Sequence, residues 1–169
     1  MKALCLLLFG CLLFQACTEE PTISSISPTN WDSRTVATNL PDSLIQGTTY
    51  LSVYSQIYSQ TEHKTHNLTA TVSLRNTDRR DTIYLQRADY FDTKGNAIRT
   101  YFDQAIYIAP METVEIVIDE LDKSGGTGAN FLFDWKVKSG SNEPLFEAIM
   151  ISTSGQQGLS FTSQGVKIK

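Results

Sequence analysis

The body of this sequence has no cysteine. All three cysteines of the 169-residue chain, Cys5, Cys11 and Cys17, fall among the first seventeen positions, which leaves the rest without a thiol for a disulfide, a nucleophile or a metal site. Histidine is almost as scarce: His63 and His66, in the run HKTH, are the whole supply. In an extended strand, residues three apart point to opposite faces, so this pair can share a metal only if the chain turns between them. A basic excess is missing as well. The formal net charge is −4, and removing the first sixteen residues would take away Lys2 and no acid, so the electrostatic footprint of a nucleic-acid binder is excluded. No apolar run is long enough to cross a bilayer as a helix, and the spacing of amphipathic helices is hard to find anywhere. With 41% hydrophobic and 10% aromatic residues, the composition fits one globular domain behind a leader.

Residues 1–16 read as that leader. Lys2 supplies a minimal positive start and ALCLLLFGCLLF an apolar stretch within the range of about 7–15 residues usual for a signal-peptide core. Small Ala16 stands directly before Cys17, and the sequence then turns polar. The arrangement resembles the lipobox of bacterial lipoproteins, in which the cysteine takes a diacylglycerol thioether and becomes the new N-terminus. A second run, LFGC at residues 8–11, resembles it too, with Leu8 where the first has the less usual Phe14. Cleavage there would leave apolar CLLFQA on the mature end, behind a core of only about seven apolar residues, which favours Cys17 as the lipid attachment. Two or three acyl chains make such an anchor stable where one is marginal. Thr18, in place of Asp, resembles the outer-membrane choice of lipoprotein sorting, and Glu19-Glu20 resembles the acidic surface-export signals of some Gram-negative lineages. The expected location is therefore the envelope of a Gram-negative bacterium, at the outer membrane, with either face open.

Residues 17–46 are rich in Ser, Thr, Pro and Asn, without sustained apolar periodicity; they read as a tether that spans roughly 30 Å as a coil. Trp31 within it is expected to staple the tether to the domain. Ser43 and Thr82, in DSL and DTI, resemble Asp-Ser/Thr-apolar acceptors of O-glycosylation.

Residues 47–169 form the domain, and period-two alternation runs through it. NLTATVSLRN sets Leu68, Ala70, Val72 and Leu74 against Thr69, Thr71, Ser73 and Arg75; TVEIVIDE does the same with Val114, Ile116 and Ile118; FLFDWKVK places Phe131, Phe133, Trp135 and Val137 on one face. Each is a half-buried strand. Turn signals separate them: NTDRRD, DTKGN, the Pro110-Met111-Glu112 corner, KSGGTGAN and SGSNEP. Apolar parity slips inside TIYLQRADYFD, from Ile83 and Leu85 to Ala88 and Tyr90, which predicts a bulge near Gln86-Arg87 or a strand covered on both faces. Eight or nine short strands so spaced predict an all-β, antiparallel, immunoglobulin-like sandwich.

The runs TYLSVYSQIYS, HNLTATVSLRNTD, ADYFDTKGNAIRTY, METVEIVI, GGTGANFLFDW and ISTSGQQGLSF, taken in order over roughly residues 45–169, resemble a family of short bacterial lipoproteins known only as a domain of unknown function. The resemblance implies no activity. A likeness of the middle portion to immunoglobulin-like modules of exported bacterial proteins is a matter of fold.

Candidate contact residues cluster in two loops. Gly125, Gly126 and Gly128 of KSGGTGAN invite a phosphate-loop reading, because glycine lets backbone amides approach an anion. Context rules it out: no Gly-Lys-Ser/Thr follows, Phe131 stands where a third glycine belongs, and the loop enters a strand rather than a helix. A wide hairpin, a bulge or a ligand loop remains, with Asn130 and Asp134 as polar contacts. STSGQQG predicts a tight hairpin whose Ser154, Gln156 and Gln157 offer a polar surface. Ser152, Ser154 and Ser160 lack a nucleophile elbow. Asp119, Glu120 and Asp122 carry oxygens of the kind calcium takes, at no recognised spacing; charge on an edge strand is the plainer account. Tyr50, Tyr54 and Tyr58 recur at even spacing and would share one strand face, as core, rim or aromatic binding stripe.

The expected protein is a lipid-anchored β-sandwich at the cell envelope that binds an envelope protein or polysaccharide without catalysis. The competing class is an envelope hydrolase with an unrecognised carboxylate or serine site; no acid, base and nucleophile stand at a known spacing. No motif calls for a cofactor.

Overall fold

The computed structural model describes residues 29–37, 39–153 and 158–169. Cys17, and Ser154, Gln156 and Gln157 of STSGQQG, lie outside the described residues. Among those described, the chain forms twelve strands and one short 3-10 turn, Asp32–Arg34. The strands are β1 (Ile45–Ser52), β2 (Gln56–Ser59), β3 (Thr61–Asn67), β4 (Thr69–Arg75), β5 (Ile83–Phe91), β6 (Ala97–Phe102), β7 (Ile106–Ile108), β8 (Thr113–Ile118), β9 (Asn130–Val137), β10 (Leu145–Ser152), β11 (Leu159–Gln164) and β12 (Val166–Lys167). Twelve exceeds the expected eight or nine chiefly because β2 and β3 form a separate hairpin and β12 is a two-residue edge piece.

The fold is all-β, and every strand pair is antiparallel. A six-stranded sheet runs β12-β1-β9-β5-β6, with β7 also beside β5; a four-stranded sheet runs β11-β10-β4-β8. Alternation drives the assembly. Leu68, Ala70, Val72 and Leu74, with Val114, Ile116 and Ile118, are buried from the second sheet, and Phe131, Phe133, Trp135 and Val137 from the first. Each such large side chain contributes about 1.5–3 kcal/mol by leaving water. Phe133 of β9 stacks on Phe146 of β10 at 4.4 Å between ring centroids and 3° between planes, which joins the two sheets; Phe131 and Tyr90 extend the stack. Trp135 has a core role: its indole Nε1–H donates to Thr49 Oγ1 at 3.0 Å. The ring fits because its β1 partner is Gly47, where a Cβ would lie 2.6 Å from Trp135 Cη2.

The parity slip in β5 is a bulge. Its pairing with β9 shifts register between Leu85 and Arg87, which carries Ile83 and Leu85 ahead of it, and Ala88 and Tyr90 after it, into the core. At the same place β5 changes its other neighbour. Ile83 to Leu85 pair with β7, whereas Ala88 to Phe91 pair with β6, and the connection Asp103-Gln104-Ala105 passes between the two.

The tyrosine stripe is not one face. β1 ends at Ser52 because the amides of Ser55 and Gln56 both donate to the Gly126 carbonyl, at 3.1 and 3.0 Å, and this draws the chain out of the sheet. Tyr50 stays on β1, Tyr54 packs edge-on against Phe161 at 5.8 Å, and Tyr58 stands exposed on β2. The part of the expected tether nearest the domain is docked on it. Trp31 packs on Phe102, Val36 N–H donates to Ala105 O at 2.8 Å, Thr35 bridges to Ile106, and Arg34 Nη2 meets Glu112 Oε1 at 2.7 Å.

Candidate functional site

The glycine-rich loop before β9 is built into the fold. A Cβ at Gly125 would fall against Tyr90 OH and within 2.7 Å of both Ser55 Oγ and Ala129 Cβ, so only glycine fits there. Gly126 adopts φ +70°. Two of the backbone amides that an anion would need are taken: Gly126 N–H donates to Lys123 O at 3.1 Å and Gly128 N–H to Thr93 Oγ1 at 2.9 Å, while the Thr93 hydroxyl and amide donate to Gly125 O. Asp122 closes the loop from the other side, accepting from the Ser124 hydroxyl and pairing with Arg99 Nη2 at 3.2 Å. Burial raises the Asp122 pKa, but the Ser124 and Arg99 contacts outweigh it and hold the carboxyl below its usual range. Asp119 caps Leu121 N–H at 2.9 Å. Among the described residues no group of three or more His, Cys, Asp or Glu is arranged to hold a metal.

Asp134 belongs to a different place. It lies on the outer face of β9, between β1 and β5, and accepts from Thr48 Oγ1 at 2.7 Å. Across the bulge, Arg87 is its register partner. The Arg87 guanidinium is paired with Asp89, and Thr100 Oγ1 donates to the same carboxylate at 2.6 Å. Asp89 first, then Asp103 and Asp134, raise the Arg87 pKa above its ordinary value. Burial raises Asp89, but the Arg87 and Thr100 hydrogen bonds prevail and leave it below the usual carboxylate range.

Thr48, Arg87 and Asp134 floor a shallow trough. Its central stretch, about 620 Å³, is lined by Gln46, Thr48, Arg87, Asp103, Asp134 and Lys169 among others. It continues through shared Gln86 and Ala105 under linker residues Val36, Leu40 and Asp42, where Lys136 joins, and through shared Asp103 to Trp31. The docked linker is thus one wall. None of the exposed large apolar side chains of the described residues lines it.

Of the described contact residues expected from sequence, Asp134 alone enters the trough. Gly125, Gly126 and Gly128 sit in the self-bonded loop, and Asn130 opens β9 between Ser52 and Phe91. Thr48, Arg87 and Asp103 drew no attention in the sequence; the parity slip at Gln86-Arg87 was their one local signal. The histidines lie on β3, which among the described residues pairs only with β2, and His63 Nε2 is 3.3 Å from Glu62 Oε1. Ser152 is buried on β10, beside Leu159 of β11, on a different sheet from either histidine.

A family model described as Protein of unknown function (DUF3124) matches residues 46–168. The chain belongs to that family. The DUF3124 match starts within β1 and includes β12, so it takes in the trough floor except Lys169 and leaves out the docked linker that walls it. No curated protein matches the chain. Among solved structures, it is similar to the crystal structure of Thermotoga maritima 1070, with 9% identity and a TM-score of 0.45 over 71% of this chain and 92% of that one.

Proposed function

We propose that this protein is a lipid-anchored binding module of the cell envelope, without catalysis of its own, tethered through Cys17 and engaging an envelope polysaccharide or protein on the outer face of its six-stranded sheet. The trough carries the reading: it is a contiguous surface of mixed polarity whose hydrogen-bonding side chains come largely from β1, β5 and β9, rigid elements that hold a contact geometry better than loops do. The leader supports the anchor, through Lys2, its apolar core and the Ala16-Cys17 junction. Against catalysis stands the lack of any acid, base and nucleophile at a recognised spacing in the sequence.

The test is hydroxyl-radical footprinting of the full-length protein, in intact envelopes and again after detergent purification. Peptides carrying Thr48, Arg87 and Asp134 are expected to be protected in envelopes and open when purified, while the Ile149 face of β10 reacts equally in both. Equal reactivity of the trough in the two states overturns the proposal. A Cys17→Ser variant should leave the membrane fraction; if it stays membrane-bound in a lipid-dependent way, Cys17 is not the anchor. Turnover of an envelope substrate that is lost in Asp134→Asn would favour the hydrolase instead.

A further inference from the structure

We infer that the trough is a site for a neutral, hydroxyl-rich glycan; the inference rests on the binding reading above and names its ligand chemistry. The donor and acceptor inventory decides it. Arg87, Lys136 and Lys169 can only donate, and the carboxylates Asp42, Asp103 and Asp134 only accept. A phosphate polymer offers acceptors alone and would leave the carboxylates opposed to it; a polyamine offers donors alone and fails against the cations. A sugar hydroxyl is both donor and acceptor, so one ring can meet both kinds of group. Over the central and linker-side stretches the side-chain charges balance, three against three, which gives little net attraction for an ion and no penalty for a neutral polymer.

Two further features agree. Thr48, Gln46, Gln86 and Gln104 add hydroxyl and amide groups that work in either sense along the same surface. A protein partner would be expected to bury apolar anchors at the centre of its contact, and no exposed large apolar side chain of the described residues lines this one. The volume of the central stretch, about 620 Å³, is that of ordinary ligand sites, roughly 300–1,000 Å³, and its continuation on both sides suits a chain of sugars.

The experiment is native electrophoresis of the full-length detergent-solubilised protein in gels cast with a soluble α-glucan, β-glucan, mannan or galactan, with polyphosphate as the charged control. At least one neutral polysaccharide is expected to retard the protein. Arg87→Gln and Asp134→Asn should each weaken that retardation about tenfold, as the loss of one charge-assisted hydrogen bond implies, and Ile149→Ser on the other sheet should not. Thermal unfolding of each variant confirms that it is folded. No retardation by any of the four, equal retardation by polyphosphate, or retardation unchanged in both trough variants overturns the inference. If footprinting still finds the trough covered in envelopes, the binding reading survives and only the glycan falls; if neither result appears, both fall.

Discussion

The indole of Trp31 lies 5.0 Å, centroid to centroid, from the ring of Phe102, inclined at 51°. Trp31 belongs to the linker and Phe102 ends β6, one residue before the connection that floors the trough. The linker is consequently part of the site, held by this ring pair, by Arg34 against Glu112 and by the Val36–Ala105 hydrogen bond. Replacing Trp31 with Ala should cost about 1–2 kcal/mol, less than the 3–5 of a fully buried tryptophan because the ring is only partly buried. Limited proteolysis between residues 29 and 42 should become faster by more than global unfolding explains. Unchanged cleavage there would mean that the linker is held by other contacts.

Two glycines separate packing from backbone strain. Gly125→Ala pushes a methyl group into Ser55, Ala129 and Tyr90 and should cost about 1–3 kcal/mol as overpacking, with loss of the 2.8 Å Ser55–Tyr90 hydrogen bond. Gly95→Ala meets nothing but sits at φ +82°, so its cost is backbone alone, about 1–2 kcal/mol. Urea unfolding of each variant gives the totals; a Tyr90 with altered near-ultraviolet signal in Gly125→Ala, and not in Gly95→Ala, identifies the packing route. The same signal change in both would refute it.

Acid should act through loop carboxylates. The backbone amides of Asp81, Arg80 and Asn142 hold Asp78 at about 2, from 3.8. Its folded pKa is lowered, so the unfolded chain takes up the proton first as pH falls; the stabilisation is complete above about 3.8 and is lost on the way down through about 2. Asp122 and Asp92 are lowered too and act in the same direction. Unfolding midpoints in urea at pH 7, 4, 3 and 2.5 should stay level at first and then drop, and the drop should be shallower in Asp78→Asn. An acid limb of identical slope in that variant would remove Asp78 from the account.

The strands were legible because each is half-buried: Leu68 to Leu74 and Phe131 to Val137 alternate with polar neighbours, and the structure buries those side chains. The bulge at Gln86 was legible as a break in that alternation. The site was not. Thr48, Arg87 and Asp134 are far apart in the chain and meet only through the register of β1 and β5 on β9, which no local spacing records. The glycine-rich loop drew attention for the right physical reason, close backbone approach, but what approaches is Tyr90, Ser55 and Thr93 of the same chain. The end of β1 at Ser52 was hidden as well, because a carbonyl from that loop, Gly126 O, redirects the chain there.

The central claim is that the outer face of the six-stranded sheet does the binding. The most direct measurement places a photo-crosslinking residue at Thr48, at Thr127 in the glycine-rich loop or at Ile149 on the opposite sheet, each in the full-length protein in its own cells, and weighs what is captured. The account predicts a discrete added mass from Thr48 and none above background from the other two. Capture from Thr127 or Ile149 with none from Thr48 would contradict it.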